Sequence, residues 1–518
     1  MASTLATGGW TLPKTLILVC FAPAAPWLGI CVGNALTGFA LLVFARDPPA
    51  AAFPVPGDFE HGGITAKTAL LVTVRNEDMA VVIPPLQGLL SALSPYGGFV
   101  AWVISDTMDP GLAAAEEAAM VDTGLFYRRR SENTGFKAGN VMEFLEHHAA
   151  GVDLAIMLDA DSVMSPAAVL RLVRMMQAEP HLAIVQHLTV GLPATSAFPR
   201  LFQFGMRAGM RVWATGQSWW QGMEGPYWGH NAVLRVDAFR AHGRLSPLPD
   251  GSTILSHDQV EAALLCAAGY GVAVWAGEDG SQEANPPALP EFLHRDSRWL
   301  AGNLQYRWLL RLPGLRPVGR WQLVQAVLLF AGAPFYTAIL ALAAWSAAAG
   351  DPCGEVAPIA WAWALALYSP KLLGYVEVFV FAARRGAYGG GTRFAGGALA
   401  EVGFTLLLDA IAQPNKTLAM LRLALGRRAG WLPQNRTDRG VTWAEAARLF
   451  WPHSLFGIAV FAGFAAAGWT AVLWAAPFAI GLPLAIPFCV LTASPSVSAW
   501  LRRHAIAAIP EELSRTPD

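Results

Sequence analysis

The placement of its apolar runs constrains this chain more than any other feature. Residues 16–44 form a run of 29 in which only Asn34 and Thr37 are polar. A hydrocarbon core about 30 Å thick needs ~20 apolar residues in a helix, so this run crosses once with tilt to spare. Pro23 and Pro26 leave open a kink or two short passes; one pass is expected. Long apolar runs return after Arg320, at 323–349, 356–383, 398–425, 453–470 and 472–493. Between them, residues 65–307 look soluble. Only 14% of residues are charged, against about 25% in soluble domains, and mean hydropathy is +0.40. The expected organisation is a transmembrane anchor at 1–46, a soluble domain at 65–307, interfacial helices and a transmembrane bundle at 308–501, and a tail at 502–518. The first apolar run is too long for a signal-peptide core.

Basic residues near span ends set orientation. Arg384, Arg385 and Arg393 flank one end, Arg427, Arg428, Arg436 and Arg439 lie in another loop, and Arg502 and Arg503 follow the last run. The connection 350–355 carries Asp351 and Glu355 and no Lys or Arg, so it is expected to face outward. The soluble domain, entered past Arg46 and left past Arg316 and Arg320, is expected in the cytoplasm, in a multi-pass protein. Run 398–425 holds Glu401, Asp409, Gln413, Pro414, Asn415, Lys416 and Arg422. It reads as an interfacial helix, a re-entrant segment or the lining of a cavity. Lys371 and Glu377 interrupt run 356–383, with Pro370 just before them. Charges at that depth signal function by default; a polar channel lining and local pairing both remain open.

Within 65–307, apolar strands alternate with helices. TALLVTV (68–74), FVAWVIS (99–105) and LAIMLD (154–159) are continuous apolar runs that stop abruptly at polar residues. Parallel strands covered on both faces look like this, and the alternation predicts an α/β domain with a mostly parallel sheet. The three runs end at Asn76 and Glu77, at Asp106, and at Asp159 and Asp161, so several carboxylates fall on one edge of the sheet. Ligands of such sheets bind beyond the carboxyl ends of the strands. An Asp-x-Asp pair there suits a divalent metal and, through it, a diphosphate. Shorter strands are expected at 125–130, 182–188, 232–236 and 271–275, helices at 166–177, 198–220, 259–268 and 294–307, and an acidic, Pro-rich loop at 279–291. Asp258 opens a helix, where capping is one role for a carboxylate. His230 has no partner at metal-ligand spacing and reads as a structural or gating residue.

Other classes drop out. Net charge is −1, which leaves no footprint for nucleic acid. The five Cys form neither a CxxC pair nor a zinc set. No GxxxxGK[ST] loop is present, so an ATP-driven pump is not expected. A transporter with a nucleotide-sensing domain would account for Lys371 and Glu377 but not for Asp258 and the Arg298-Trp299 pair beside the Asp-x-Asp.

The ordered set Asp106, Asp159-Ala160-Asp161, Ser256-His257-Asp258 and Arg295-Asp296-Ser297-Arg298-Trp299 resembles that of the processive, inverting family-2 glycosyltransferases. More narrowly, TALLVTVRNED, FYRRR, KAGNV, LDADSVMS, YWGHNAVLRV, LSHDQVEAALLCAAGYGV, RDSRWLAGNLQYR and YSPKLL resemble the glucans biosynthesis glucosyltransferase H family, over roughly residues 65 to 500. Arg295 stands where cellulose synthases have Gln, and His257 where they have Glu, as the glucan family leads one to expect. The N-terminal extension of longer family members is not seen, nor a regulatory domain after the last run, so regulation housed there is expected to be lacking.

The resemblance implies a glycosyltransferase A-type α/β domain, Rossmann-like, inserted between transmembrane helices of a bacterial inner-membrane protein. It implies glucose transfer from UDP-glucose into a growing β-glucan, β-1,2-linked, the backbone of osmoregulated periplasmic glucans, coupled to export. A cellulose-like polymer or transfer to a lipid stays open. Asp258 is then the base. Asn76, Glu77, Asp106, Lys137, Asp159 and Arg298 bind the UDP-sugar, Arg295, Trp299, Trp228 and His257 the acceptor, and Asp161 with Asp159 holds Mg²⁺ or Mn²⁺. Membrane lipids and acyl carrier protein are the further partners implied. Lys137 as a surface lysine and Trp299 as a membrane-interface anchor remain competing readings.

Overall fold

The computed structural model describes residues 1–352, 354–427 and 438–514. Cys353, Arg428 and Arg436, and the last four residues of the expected tail, lie outside the described residues. Among the described residues, ten strands form two sheets: β1 Thr68–Val74, β2 Phe99–Ser105, β3 Phe126–Arg129, β4 Leu154–Asp159, β5 Val163–Met164, β6 Leu182–His187, β7 Val190–Gly191, β8 Ala232–Arg235, β9 Gly271–Trp275 and β10 Ser281–Glu283. The large sheet runs β3-β2-β1-β4-β8-β6-β9, and β5-β10-β7 makes a small one. In the large sheet only β8 is antiparallel to its neighbours. Side chains alternate between faces. Leu70, Val72 and Val74 pack with Leu86 and Val173 on one side, and Ala69 and Leu71 with Phe144 and Leu145 on the other. That double burial is why the strands read as unbroken apolar runs.

Register brings the polar ends together. Thr73 of β1 lies beside Asp159 of β4, and Val74 beside Ser105 of β2. The sheet grows outward in both directions from β1 and β4, so the crevice between their carboxyl ends is a topological switch point, where such sheets bind ligands.

Among the described residues, five helices are long and apolar enough to cross a membrane: Leu12–Phe44, Met79–Tyr96, Pro317–Ala348, Gly391–Ala424 and Trp443–Ala466. The second packs Met79, Val82, Leu86 and Leu89 into the core beside the sheet, so it belongs to the α/β domain. The first is one continuous helix despite Pro23 and Pro26. Two expected runs differ. Run 356–383 breaks at Tyr368 into Ala357–Leu367 and Ser369–Val380, because Pro370 has no N–H for the preceding turn. Run 472–493 gives two short helices, Trp469–Ala479 and Ala485–Thr492. Between them Gly481 lies against the backbone of Leu407, and Pro483 follows.

The helix Ala197–Gln221, here the cradle helix, joins the two regions. It packs on the first span, on Ser369–Val380 and on Gly391–Ala424. Glycines permit the approach: a Cβ on Gly38 of the first span would run into the carbonyl of Val212, and one on Gly216 into that of Asn34. The Asn34 side chain accepts a hydrogen bond from Trp220 Nε1 at 2.7 Å. The segment expected as a tail folds back onto the cradle helix. Arg200, buried, donates to the carbonyl of Ile506 at 2.7 Å and pairs with Glu512, while Arg207 pairs with Glu511 at 2.5 Å.

Candidate active site

A cavity of about 910 Å³ opens at the switch point and continues between the membrane helices. Glu77, Asp106, Lys137, Asp159, Asp161, Trp228, His257, Asp258, Arg295, Arg298 and Trp299 all line it. Asn76 does not: it turns the chain after β1 with φ 58°, and its N–H donates to Thr107 Oγ1 at 2.7 Å.

Asp159 closes β4. Its carboxylate pairs with Lys137 and accepts from Thr73 Oγ1 at 3.3 Å. Lys137 sits in the first turn of the helix Phe136–His147, where the KAGN glycine is a steric necessity: a Cβ on Gly139 would overlap the Thr134 carbonyl. Lys137 is therefore a wall of the cavity, not a surface lysine. Asp106 is buried, and Arg130 holds it in a fork, Nε to Oδ1 at 2.5 Å and Nη2 to Oδ2 at 2.8 Å. Arg130 also donates to the carbonyls of Thr134 and Phe136, at 2.8 and 2.7 Å, so it fixes the loop leading to Lys137. Behind this, buried Glu116 accepts from Ser105 Oγ at 2.6 Å and Tyr127 OH at 3.0 Å. Burial and the Glu116 charge push the Tyr127 phenol up to about 12. The sequence showed the basic triplet but not which arginine serves Asp106.

Asp258 is the first residue of the helix Asp258–Ala267. The N-cap is His257, and no side chain caps that end. Among the described residues no hydrogen bond engages the Asp258 carboxylate, so capping does not explain it. Gly229, at φ 85°, brings the loop before β8 close to Asp258 and His257. Gln186 of β6 pins that loop: its Oε1 accepts the Trp228 N–H at 2.8 Å and its Nε2 donates to the His230 carbonyl at 2.9 Å. His230 faces Glu283 of β10 at 3.3 Å, a strand inside the expected acidic loop.

Arg295, Arg298 and Trp299 lie on the helix Leu289–Leu309, which starts earlier than the sequence led us to expect. The Arg295 guanidinium stacks over the Trp299 ring at 4.6 Å. Buried Asp296 faces Lys416 of Gly391–Ala424, at 3.7 Å. Burial raises its pKa.

Past Trp299 the cavity is lined by Tyr368, Lys371, Glu401, Thr405, Asp409, Gln413 and Lys416. Lys371 Nζ donates to Glu401 at 2.6 Å and Thr405 at 2.7 Å, and Tyr368 OH to Asp409 at 2.7 Å. Gly391–Ala424 thus takes the cavity-lining role among its three readings. The two intramembrane charges part company: Lys371 faces the cavity, while Glu377 is buried in a structural pairing with Arg211 (3.4 Å) and Arg384 (3.5 Å).

Among the described residues no cluster of three or more His, Cys, Asp or Glu could hold a metal alone. Two carboxylates at a strand end still fit Mg²⁺ or Mn²⁺, which keep water and take substrate phosphates as remaining ligands. Asp159 and Asp161 both face the cavity, so they fit the implied ion.

A parallel-dominated α/β domain with acidic strand ends, opening into a membrane bundle, defines a membrane-embedded glycosyltransferase. The model of the Glycosyl transferase family group 2 matches residues 154–376. The chain belongs to the glucans biosynthesis glucosyltransferase H family, the glucan-synthesising glycosyltransferases. It is 31% identical to the enzyme of that name from Rhodopseudomonas palustris (strain TIE-1), over 99% of this chain and 75% of the relative. Identity to the Caulobacter vibrioides (strain NA1000 / CB15N) enzyme is 32%, over 98% and 82%. Among solved structures, the mannosyltransferase PcManGT of Pyrobaculum calidifontis, in complex with GDP-Man and Mn²⁺, is similar at TM-score 0.49 and 16% identity, over 80% of this chain and all of its own.

Proposed function

We propose that the chain polymerises glucose from UDP-glucose by inverting transfer into the β-1,2-linked backbone of osmoregulated periplasmic glucans, and passes the product outward through its own helices. The carrying observation is that one cavity joins Asp159 and Asp161, Asp258, Trp299 and the polar membrane helices. Glu77 and Asp106 hold the uridine end. Lys137 and Arg298 neutralise the diphosphate, Arg298 as a fork. A bound Mg²⁺ or Mn²⁺, held by Asp161 with Asp159, would supply Lewis-acid charge to the leaving group. Trp299, Trp228 and Arg295 position the acceptor sugar. Asp258 takes the proton from the acceptor hydroxyl, whose oxygen bonds to the anomeric carbon as the bond to UDP breaks. With Asp258 as the base and Asp159 and Asp161 on the metal and nucleotide, no carboxylate is assigned as nucleophile and the transfer is a single displacement, so an α-linked donor yields a β-linked product.

The charge distribution of the loops supports a cytoplasmic catalytic domain in a bacterial inner membrane, with lipids around the bundle and acyl carrier protein as a candidate partner. The test is Asp258→Asn in membranes supplied with radiolabelled UDP-glucose. UDP binding should persist while glucan synthesis falls by at least about 100-fold, the scale of lost general-base catalysis. Retained synthesis removes Asp258 from the base role, and linkage analysis separates a β-1,2-glucan from a cellulose-like or lipid-linked product.

A further inference from the structure

Glu261 has no part in the mechanism above, yet it is among the most buried carboxylates of the α/β domain, at 2% exposure. It lies one turn after His257, on the helix Asp258–Ala267, and accepts a hydrogen bond from His257 Nδ1 at 2.8 Å. It does not line the cavity; His257 and Asp258 do. The imidazole therefore stands between a hidden carboxylate and the open site. With Nδ1 engaged behind, the opposite edge of the ring faces the wall that Gly229 forms: a Cβ there would lie 3.8 Å from His257 Cε1, 4.0 Å from Nε2 and 3.6 Å from Asp258 Cβ. Among the described residues no protein group takes Nε2.

A buried carboxylate is costly to retain unless it is paired, and a carboxylate behind a histidine fixes which nitrogen carries which proton. We propose that Glu261 is a positioning residue. It holds His257 by Nδ1 so that Nε2–H donates to an oxygen of the acceptor sugar, beside the hydroxyl that Asp258 deprotonates. The proton of the attacking hydroxyl goes to Asp258, and His257 keeps its own. The pair thus selects which acceptor hydroxyl meets the base. The inference rests on the base role of Asp258.

Other groups facing His257 act in both directions. Burial disfavours the charged ring, but Glu261 by charge and hydrogen bond, with Asp258, more than offsets this, and the pKa of His257 is raised above its ordinary value; Lys137 opposes it. Tyr227, from the loop before β8, and Tyr306, from the helix Leu289–Leu309, sit close to the same carboxylates. Burial, then Glu261 and Asp258, raises Tyr227 well above the usual phenol value, so it stays neutral. Burial, then Asp258, does the same for Tyr306. The working form of His257 is then present below its raised pKa and lost as pH rises through it.

The experiment compares pH–rate profiles of glucose incorporation for the full chain in membranes or detergent, with UDP binding measured alongside. In Glu261→Gln, the alkaline limb should move to lower pH by about one unit, the lower end of what an opposite charge at this range produces. UDP affinity should stay unchanged, and Glu261→Asp should restore part of the shift. If Glu261→Gln lowers the expressed amount, His257→Gln serves instead: its profile should lose the limb, and adding Glu261→Gln should cause no further change. An unmoved limb in Glu261→Gln, or a wild-type limb in His257→Gln, overturns the inference. Asp258→Asn separates the layers. If it abolishes synthesis while the limb ignores Glu261, only this inference fails; if it retains synthesis, the base reading fails first.

Discussion

Arg130 offers the sharpest test of how the nucleotide end of the site is built. Its side chain is 3% exposed and that of Asp106 8%, and the two meet in a bidentate fork. Arg130→Met keeps the aliphatic stem and removes the fork, leaving a buried carboxylate without its cation. Breaking one partner of such a pair costs about 3–5 kcal/mol. For a domain of about 240 residues, 1 kcal/mol moves the melting temperature by about 2–4 °C, so the apparent melting temperature should fall by roughly 6–20 °C. Asp106→Asn should cost less, because Arg130 keeps the carbonyls of Thr134 and Phe136. The double variant should fall short of the sum by about 0.5–3 kcal/mol, as contacting residues do. Arg130→Lys should be intermediate, since an ammonium cannot match the fork. The assay is thermal unfolding of the detergent-purified chain, paired with UDP binding, which should weaken as the loop carrying Lys137 loosens. If Arg130→Met melts within about 2 °C of the parent, Asp106 rehydrates freely and the fork does not organise the site.

Two further outcomes follow from the geometry. Gly205→Val puts a side chain where the Glu401 carboxylate lies; synthesis should drop by about tenfold, the factor of 1.4 kcal/mol at 25 °C, which lies within the roughly 1–3 kcal/mol that overpacking costs, while UDP binding at the far end persists. Chelation should stop synthesis and added Mn²⁺ or Mg²⁺ restore it, and Asp161→Asn should raise the metal concentration needed by at least about tenfold. An Asp161→Asn chain with an unchanged metal titration would remove that residue from the ion.

Much of the α/β domain was legible because its physics is local. Continuous apolar runs ending in charge described β1, β2 and β4 closely, and their shared polar edge followed from the alternation with helices. The Asp258 region and Arg295–Trp299 came from the ordered motif set. Local patterns could not show what depends on the third dimension. Which arginine of the triplet turns inward to Asp106 is decided by the β2–β3 register. Gln186 is one polar residue in the expected strand 182–188, and its hold on the Trp228 loop needs β8 beside β6. In the membrane region, hydropathy averages over Pro370 and over the segment 481–483, so it overstates continuity there. Lys371 and Glu377 looked equivalent in sequence; only the neighbouring helices separate a cavity wall from a buried ion pair.

The cradle helix has a mechanical consequence. It belongs to the chain segment that carries the chemistry, yet glycine contacts bind it to the first span, and the last residues of the described chain clamp its other flank through Arg200 and Arg207. An element gripped from both sides fastens the α/β domain to the helices that line the membrane part of the cavity. In the proposed polymerisation, advance by one sugar would then come from the polymer sliding through a stationary frame, with motion in the protein confined to side chains and short loops at the crevice.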